Sequence, residues 1–317
     1  MTVINLHTLQ IESPTASTVL CLGNFDGVHI GHRELAKETV RRKHELSGKF
    51  PELKSGAWFF RRAPLEVITG KVQPHITDFE QKLAIFAEMG LDYAFVYDYE
   101  EIGGYSPERF VSDVLKKECG CVFAVCGYNF KFGKGAAGDA ALLSGLMDGN
   151  VAIIDKISHN GQHVSSSKIR KLIADGDMEL ANALLGRSHF IRNDVVHGKH
   201  LGKKLGIPTI NQKIPDGFAT PKKGIYISRT LVNGEYYGSV SNVGFRPSVE
   251  DTSFMNCETY IIGFEGDLYG QKIKVEFLKR LRDEKKFDSI DGLKAQILED
   301  IEQTKEYFRK KTGGMIL

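Results

Sequence analysis

The chain has 317 residues, more than one compact core usually holds and about what two domains of roughly 100–200 residues need. A composition of 42% hydrophobic and 26% charged residues excludes global disorder and fibrous repeats. The formal net charge of only +2, from 42 Lys+Arg against 40 Asp+Glu, gives no sign of the concentrated basic face of a dedicated nucleic-acid binder.

No apolar run approaches the roughly 18 residues of a membrane span, and residues 1–8 lack a basic-then-apolar leader. Five cysteines without a Cys-x-x-Cys pair read as reduced, mostly buried thiols of a cytoplasmic protein. In the first half, short apolar runs alternate with amphipathic stretches. Strands are expected at 18–22, 56–60, 93–97, 122–126 and 151–154. Helices are expected over 31–46, over 78–89 with Phe79, Leu83 and Phe86 on one stripe, and from Ser106-Pro107-Glu108 onward. Strands separated by helices imply βαβ units, hence a Rossmann-like parallel sheet in an α/β domain. The second half has little helical periodicity. Residues 225–232, Asn233-Gly234 and 235–240 form a hairpin with a favoured tight-turn pair. A strand over 258–264 turns through 265–267 into 268–278, where Ile273, Val275 and Phe277 alternate with Lys272, Lys274 and Glu276. The pattern is that of a small antiparallel β-barrel or sandwich. Leu293, Ile297, Leu298 and Ile301 mark a terminal amphipathic helix packed on it. The join is expected near Gly186-Arg187, giving domains 1–186 and 187–317.

Directly after the first strand stands Gly23-Asn-Phe-Asp-Gly-Val-His-Ile-Gly-His32. Its glycines let the backbone turn closely against a ligand, and His29 and His32, three apart at a helix start, turn to one side. Helix N-termini attract anions, and two imidazoles there can donate to phosphate oxygens, with Gly23, Asn24 and Asp26 as neighbouring phosphate-binding candidates. A zinc pair fits less well: zinc takes about three or four ligands, and no cysteine or carboxylate stands at suitable spacing. Ser165-Ser-Ser-Lys-Ile-Arg170 reads as a second phosphate-holding corner or as an ordinary capped helix. Gly127-Tyr-Asn-Phe-Lys-Phe-Gly133 is a glycine loop, but Gly135 follows Lys134 where a Walker A loop has serine or threonine.

In the second half, Val196-His-Gly-Lys-His-Leu-Gly-Lys-Lys-Leu-Gly-Ile-Pro-Thr-Ile-Asn211 is a basic, glycine-punctuated loop. Gly198, Lys199, Gly202 and Lys203 suit a polyphosphate, and Thr209 and Asn211 offer hard oxygens for Mg²⁺ on one face of an extended segment. A solvated loop and a turn are the plainer readings. Glu258 shares a strand face with Tyr260, Ile262 and Phe264, where a rim carboxylate suits either proton abstraction or a cation partner.

The first half resembles the adenylyltransferase module of prokaryotic bifunctional riboflavin kinase/FMN adenylyltransferases, or FAD synthetases. Its members carry Gly-Asn-Phe-Asp-Gly-x-His-x-Gly-His, Gly-x-Asn/Asp-Phe-x-Phe-Gly and Ser-Ser-Thr/Ser-x-Ile-Arg, matched at 23–32, 127–133 and 165–170. The resemblance implies a nucleotidyltransferase fold in which the FMN phosphate attacks the α-phosphorus of ATP and pyrophosphate leaves. It implies that His29 and His32 stabilise the phosphates, Asn129 orients substrate, and Ser166, Lys168 and Arg170 hold the pyrophosphate. The second half is similar to the riboflavin kinase module of the same family, through Gly198 to Asn211, Gly224-Ile-Tyr226, Asn242-Val-Gly244, Glu258, Asp267-Leu-Tyr-Gly270 and Leu281-Arg282. That similarity implies Mg·ATP held by Thr209 and Asn211, Glu258 as the base on the ribityl 5′-hydroxyl, and Arg282 at flavin or phosphate. Lys203 stands where arginine is usual and Asn193 where glycine is common.

The adenylyltransferase module usually follows its second strand with Phe-x-Pro-His-Pro, whereas this chain has Phe60-Arg-Arg-Ala-Pro64. Tyr128 also stands where a polar or acidic residue is common. Arg61 and Arg62 read either as solvated charges or as the mark of a weakened or redirected adenylyl-transfer site. The expectation is therefore phosphorylation of riboflavin to FMN together with adenylylation of FMN to FAD, using riboflavin, FMN, ATP and Mg²⁺ and no nucleic acid or membrane. The alternative is a kinase whose first half senses flavin or nucleotide or acts on another phosphorylated substrate. The motifs leave the oligomeric state open.

Overall fold

The computed structural model describes residues 1–5, 16–198, 202, 206–246 and 254–312. They form two compact units, Met1–Ser166 and Ser167–Leu317.

The first unit is built on a six-stranded, fully parallel sheet of order β1-β4-β3-β2-β5-β8. These strands are β1 (Thr2–Asn5), β2 (Thr18–Leu22), β3 (Lys54–Phe60), β4 (Tyr93–Tyr97), β5 (Cys121–Gly127) and β8 (Val151–Ile154). Two small hairpins pair β6 (Lys131–Phe132) with β7 (Gly138–Asp139), and β9 (Ser158–His159) with β10 (Gln162–His163). Helices α1 (Ile30–Leu46), α2 (Pro64–Thr69), α3 (Phe79–Glu88), α4 (Tyr99–Ile102), α5 (Pro107–Arg109, continuing in wider turns over Phe110–Glu118) and α6 (Ala140–Leu146) connect them. The strands read as unbroken apolar runs because both sheet faces are covered. Leu20, Leu22, Trp58, Phe95 and Tyr97 pack with Phe110 and Val114 on one side, while Val19, Cys21, Phe59 and Val96 pack with Leu35, Ile85 and Phe86 on the other. Local chemistry sets the helix starts: Asp78 and Gln81 form a capping box at α3, and Ser106 caps α5 ahead of Pro107. All five cysteines are buried and unpaired, and burial pushes the Cys21, Cys121 and Cys126 thiols up to about 12.

The second unit begins at Ser167, one residue into α7 (Ser166–Asp175), and continues with α8 (Met178–Leu185), which Gly186 ends in a left-handed cap. An antiparallel sheet follows, of order β11-β16-β13-β14-β15-β12. Its strands are β11 (His189–Asp194), β12 (Thr209–Lys213), β13 (Gly224–Val232), β14 (Glu235–Arg246), β15 (Phe254–Ile261) and β16 (Lys272–Arg282). A bridge between Val196 and Asn211, with the Gln212 amide donating to Asn193 O and Ile273 O at 2.7 Å each, joins its edges into a barrel. Asn233-Gly234 makes the expected hairpin turn. Fully buried Ser228, Thr230, Ser239, Ser241 and Thr259 link their hydroxyls at 2.7–2.8 Å, a polar interior that the sequence does not announce. On the other face Ile207, Ile225, Val240, Tyr260 and Ile262 pack with Ile297 and Ile301 of the terminal helix Ile290–Thr312. Among the described residues no helix is long and apolar enough to cross a membrane.

The units divide ahead of the expected join at Gly186-Arg187, because α7 and α8 pack with the barrel. Lys222 N–H donates to Ile173 O (3.1 Å), and Asn182 donates to Phe277 O (2.8 Å) while accepting from His189 N–H (2.7 Å). Strand 258–264 is also corrected. It starts earlier and ends at Ile261, since Gly263 turns the chain at φ 75° and Phe264 packs on the Tyr237 ring. Asn182→Ala leaves two backbone groups without their partner and should cost about 1–3 kcal/mol of stability, read from the urea unfolding midpoint.

Candidate functional sites

In the parallel sheet, strand order reverses between β2 and β5, so the loops leaving their C-terminal ends flank a crevice suited to ligands. The first of these loops is 23–32. Phe25 (φ 53°), Gly27 (φ 80°) and Val28 (φ 39°) hold left-handed backbone, and Phe25 is anchored by edge-on contacts to Phe86, Phe59 and His32. Three bonds to α3 and the segment leading into it help to secure it. Gly27 N–H donates to Thr77 Oγ1 (3.2 Å), Ile76 N–H donates to Asp26 Oδ1 (2.9 Å), and Lys82 Nζ donates to Asn24 O (3.0 Å).

His29 caps α1 by accepting the His32 backbone N–H on Nδ1 (3.2 Å), and the two rings stack with centroids 3.6 Å apart. Burial, reinforced by His29 and Lys82, holds His32 well below the ordinary histidine range, so it is neutral at pH 7. A neutral imidazole donates through a single N–H, which fits a hydrogen bond to phosphate rather than an ion pair. Ser166 joins this group, its Oγ donating to Asp26 O at 2.9 Å. Gly23 lies at the loop's start, Asn24 is exposed, and Asp26 is half-buried.

Asn129 sits in the turn after β5, exposed beside Tyr128, over a Phe130–Phe132 stack. Gly133 ends that loop at φ 73°, where a Cβ would lie 2.9 Å from the Pro107 nitrogen. Lys168 and Arg170 lie on the first turns of α7 in the second unit, with Arg170 donating to Ser167 Oγ (3.2 Å). Arg61 pairs with Asp98 (3.5 Å) and covers the Phe79 ring, and Arg62 pairs with Glu100. Both behave as paired, half-exposed surface charges, the plainer of the two readings of that stretch.

In the barrel, register sets the second site. Asn211, Glu258, Asn242, Ile225 and Arg282 are successive cross-strand partners over β12, β15, β14, β13 and β16 and so share one face. Thr209, diagonal to Glu258, donates its hydroxyl to Glu258 Oε1 at 2.6 Å. Asn211 is 5% exposed and its Oδ1 accepts from Asn256 Nδ2 (3.0 Å). A Cβ on Gly198 would collide with the Asn211 carboxamide, and one on Gly202 with Ile207 O, so both glycines permit close approach of the loop. Lys199 and Lys203 lie outside the described residues. Hydroxyl, carboxamide and carboxylate oxygens thus gather on one face, a donor set that fits Mg²⁺. Among the described residues no group of three His, Cys, Asp or Glu is placed for a metal.

Arg282 spends its fork on Asp300 of the terminal helix, at 2.9 and 2.6 Å, and donates to Asp283 O. Lys82 and Asn242 are the residues that sequence reasoning passed over. Lys82 stands on the apolar stripe of α3, between Phe79 and Phe86, where a lysine is out of place; that was its signal. Asn242 stands within the Asn242-Val-Gly244 motif, and alternation along β14 sets it beside Glu258.

A family model described as FAD synthetase matches residues 11–168, and one described as riboflavin kinase matches residues 185–308. The chain is 32% identical to the Bacillus subtilis bifunctional riboflavin kinase/FMN adenylyltransferase, over 94% of this chain and 95% of that protein. It is 34% identical to the protein of the same description from Escherichia coli K12, over 96% of each. A solved structure from Streptococcus pneumoniae, described as a macrolide-efflux protein, superposes with a TM-score of 0.85 at 26% identity, over 96% of this chain and 99% of that one. Within the second unit, Asp300→Ala strands the partly buried Arg282 guanidinium. It should cost about 3–5 kcal/mol, checked by chemical denaturation.

Proposed function

Since the chain belongs to the bifunctional riboflavin kinase/FMN adenylyltransferase family, we propose that it converts riboflavin to FMN and FMN to FAD, each step at the expense of ATP, in the cytoplasm. The observation that carries the kinase reading is the Thr209–Glu258 hydrogen bond within the face that also bears Asn211 and Asn242. On this reading Glu258 accepts the proton of the ribityl 5′-hydroxyl as its oxygen attacks the γ-phosphorus. Thr209 orients that carboxylate, and with Asn211 it would hold Mg²⁺. The ion, bound with ATP, neutralises charge on the phosphates. Gly198 and Gly202 would bring backbone amides toward the same phosphates, and the motif assigns Lys199 and Lys203, outside the described residues, to the same role. Arg282, tied to Asp300, fixes the terminal helix against the flavin side of the site.

In the first half, the crevice at the β2–β5 reversal suits ATP. His29 and the neutral His32 hydrogen-bond its phosphates, Gly23, Asn24, Asp26 and Ser166 shape the loop, and Asn129 orients the incoming FMN. Lys168 and Arg170 take the pyrophosphate. The FMN phosphate needs no base, so positioning and charge stabilisation suffice. A kinase with a silent or redirected first half is disfavoured: Arg61 and Arg62 are ion-paired at the surface, and the relatives match along nearly their whole length. On this reading adenylyl transfer belongs to 1–186 and phosphoryl transfer to 187–317, although the compact units divide earlier, after Ser166.

Chromatography of two incubations tests the reading: riboflavin with Mg·ATP should yield FMN, and FMN with Mg·ATP should yield FAD. Glu258→Gln should slow FMN formation by about 10²–10⁴-fold with folding intact, and near-normal turnover would remove Glu258 as the base. His29→Ala should abolish FAD formation and spare the kinase; equal loss of both would argue against independent sites.

A further inference from the structure

Lys82 is 8% exposed on a helix whose other face is open to solvent, although a lysine stem normally lets the ammonium reach water. Its Nζ instead points under the 23–32 loop, 3.0 Å from Asn24 O and 4.7 Å from the centre of the Phe59 ring. A buried ammonium is expensive, and a methionine of similar volume would fill the same space without desolvation. The loop it touches carries left-handed backbone at Phe25 and Val28, a conformation that must be held from outside. Thr77, Ile76 and Ser166 tether the loop through uncharged groups, whereas Lys82 does so through an ammonium.

We propose that Lys82 is a positioning residue for adenylyl transfer, its ammonium clamping the Asn24 carbonyl from beneath so that the loop presents His29 and His32 to the phosphates of ATP. The inference rests on the adenylyltransferase reading of the first half. In that reaction an oxygen of the FMN phosphate forms a bond to the α-phosphorus, and the bond to the bridging oxygen of pyrophosphate breaks, the electron pair leaving with pyrophosphate. Lys82 takes no proton in it and acts through the loop. The charged and titratable groups about it are Asp26 from the loop, which favours the ammonium, and His32 from α1, stacked on His29, which Lys82 helps to keep neutral. Burial brings Lys82 down from 10.5 to about 8, with Asp26 opposing. The ammonium is therefore present below about pH 8 and lost above it, and FAD formation weakens as pH rises through that value.

The test uses the full chain. Wild type, Lys82→Met and Lys82→Arg are assayed for FAD formation from FMN and Mg·ATP between pH 6.5 and 9.5, with FMN formation from riboflavin as the control for folding. Lys82→Met should lose about 10²-fold in kcat for FAD, keep the kinase rate, and show no alkaline limb near pH 8. Lys82→Arg, which keeps the charge, should recover part of the rate and shift the limb upward. Wild-type FAD synthesis with an undiminished Lys82→Met overturns the inference alone. Absence of FAD synthesis by the wild-type chain overturns the adenylyltransferase reading and this inference with it. Should Lys82→Met fail to fold, a wild-type profile flat through pH 8 overturns the proposal without it.

Discussion

Both sites depend on strand register, because neither is assembled from residues adjacent in sequence. In the parallel sheet, β2 lies between β3 and β5, and all three finish on the same edge. The loops 23–32 and 127–133 leave from that edge on either side of the point where strand order reverses. In the barrel, antiparallel pairing sets Asn211 opposite Glu258 and Glu258 opposite Asn242, although β14 and β12 lie far apart along the chain. A slip of one residue in β15 would turn Glu258 into the hydroxyl-lined interior and bring Cys257 or Thr259 to the site face. The closing bridge at Val196 and Asn211, and the Gln212 amide held by two carbonyls, work against such a slip.

The sequence is most legible where chemistry is local. Caps, the Asn233-Gly234 turn, the apolar strands and the loop motifs announce themselves through short-range spacing, so the α/β half, the barrel and the terminal helix could all be read from it. What was not legible depends on partners far along the chain. Arg282 looked available until its partner Asp300 came into view across 18 residues. Arg61 and Arg62 read equally as solvated charges or as the mark of an altered site until Asp98 and Glu100 accounted for them. Lys82 is the instructive case. Its place on an apolar stripe was visible, but its meaning required the Asn24 carbonyl, 58 positions away. The helices α7 and α8 show the same limit, since nothing local in them says that they pack with the barrel rather than with the sheet that precedes them.

The charge economy of the molecule fits small-anion chemistry. The net charge is only +2, with 42 Lys+Arg against 40 Asp+Glu. Beside the 23–32 loop the cation is the buried Lys82, and in a low dielectric one well-placed charge counts for more than several exposed lysines. The exposed pairs along α1, such as Lys37 with Glu34 and Arg41 with Glu38, contribute solubility more than stability.

The hydroxyl-lined barrel has a thermodynamic consequence. Exposing apolar surface raises the heat capacity of unfolding and exposing polar surface lowers it. When the barrel opens, Ser228, Thr230, Ser239, Ser241 and Thr259 meet water along with Phe277 and Val275, whereas the parallel sheet releases two almost wholly apolar faces. Per residue, the hydroxyls buried in the second unit should lower its heat-capacity change on unfolding and so flatten its stability curve. Two sites that share one chain and one nucleotide are thus carried by scaffolds with different temperature responses, set by what each buries.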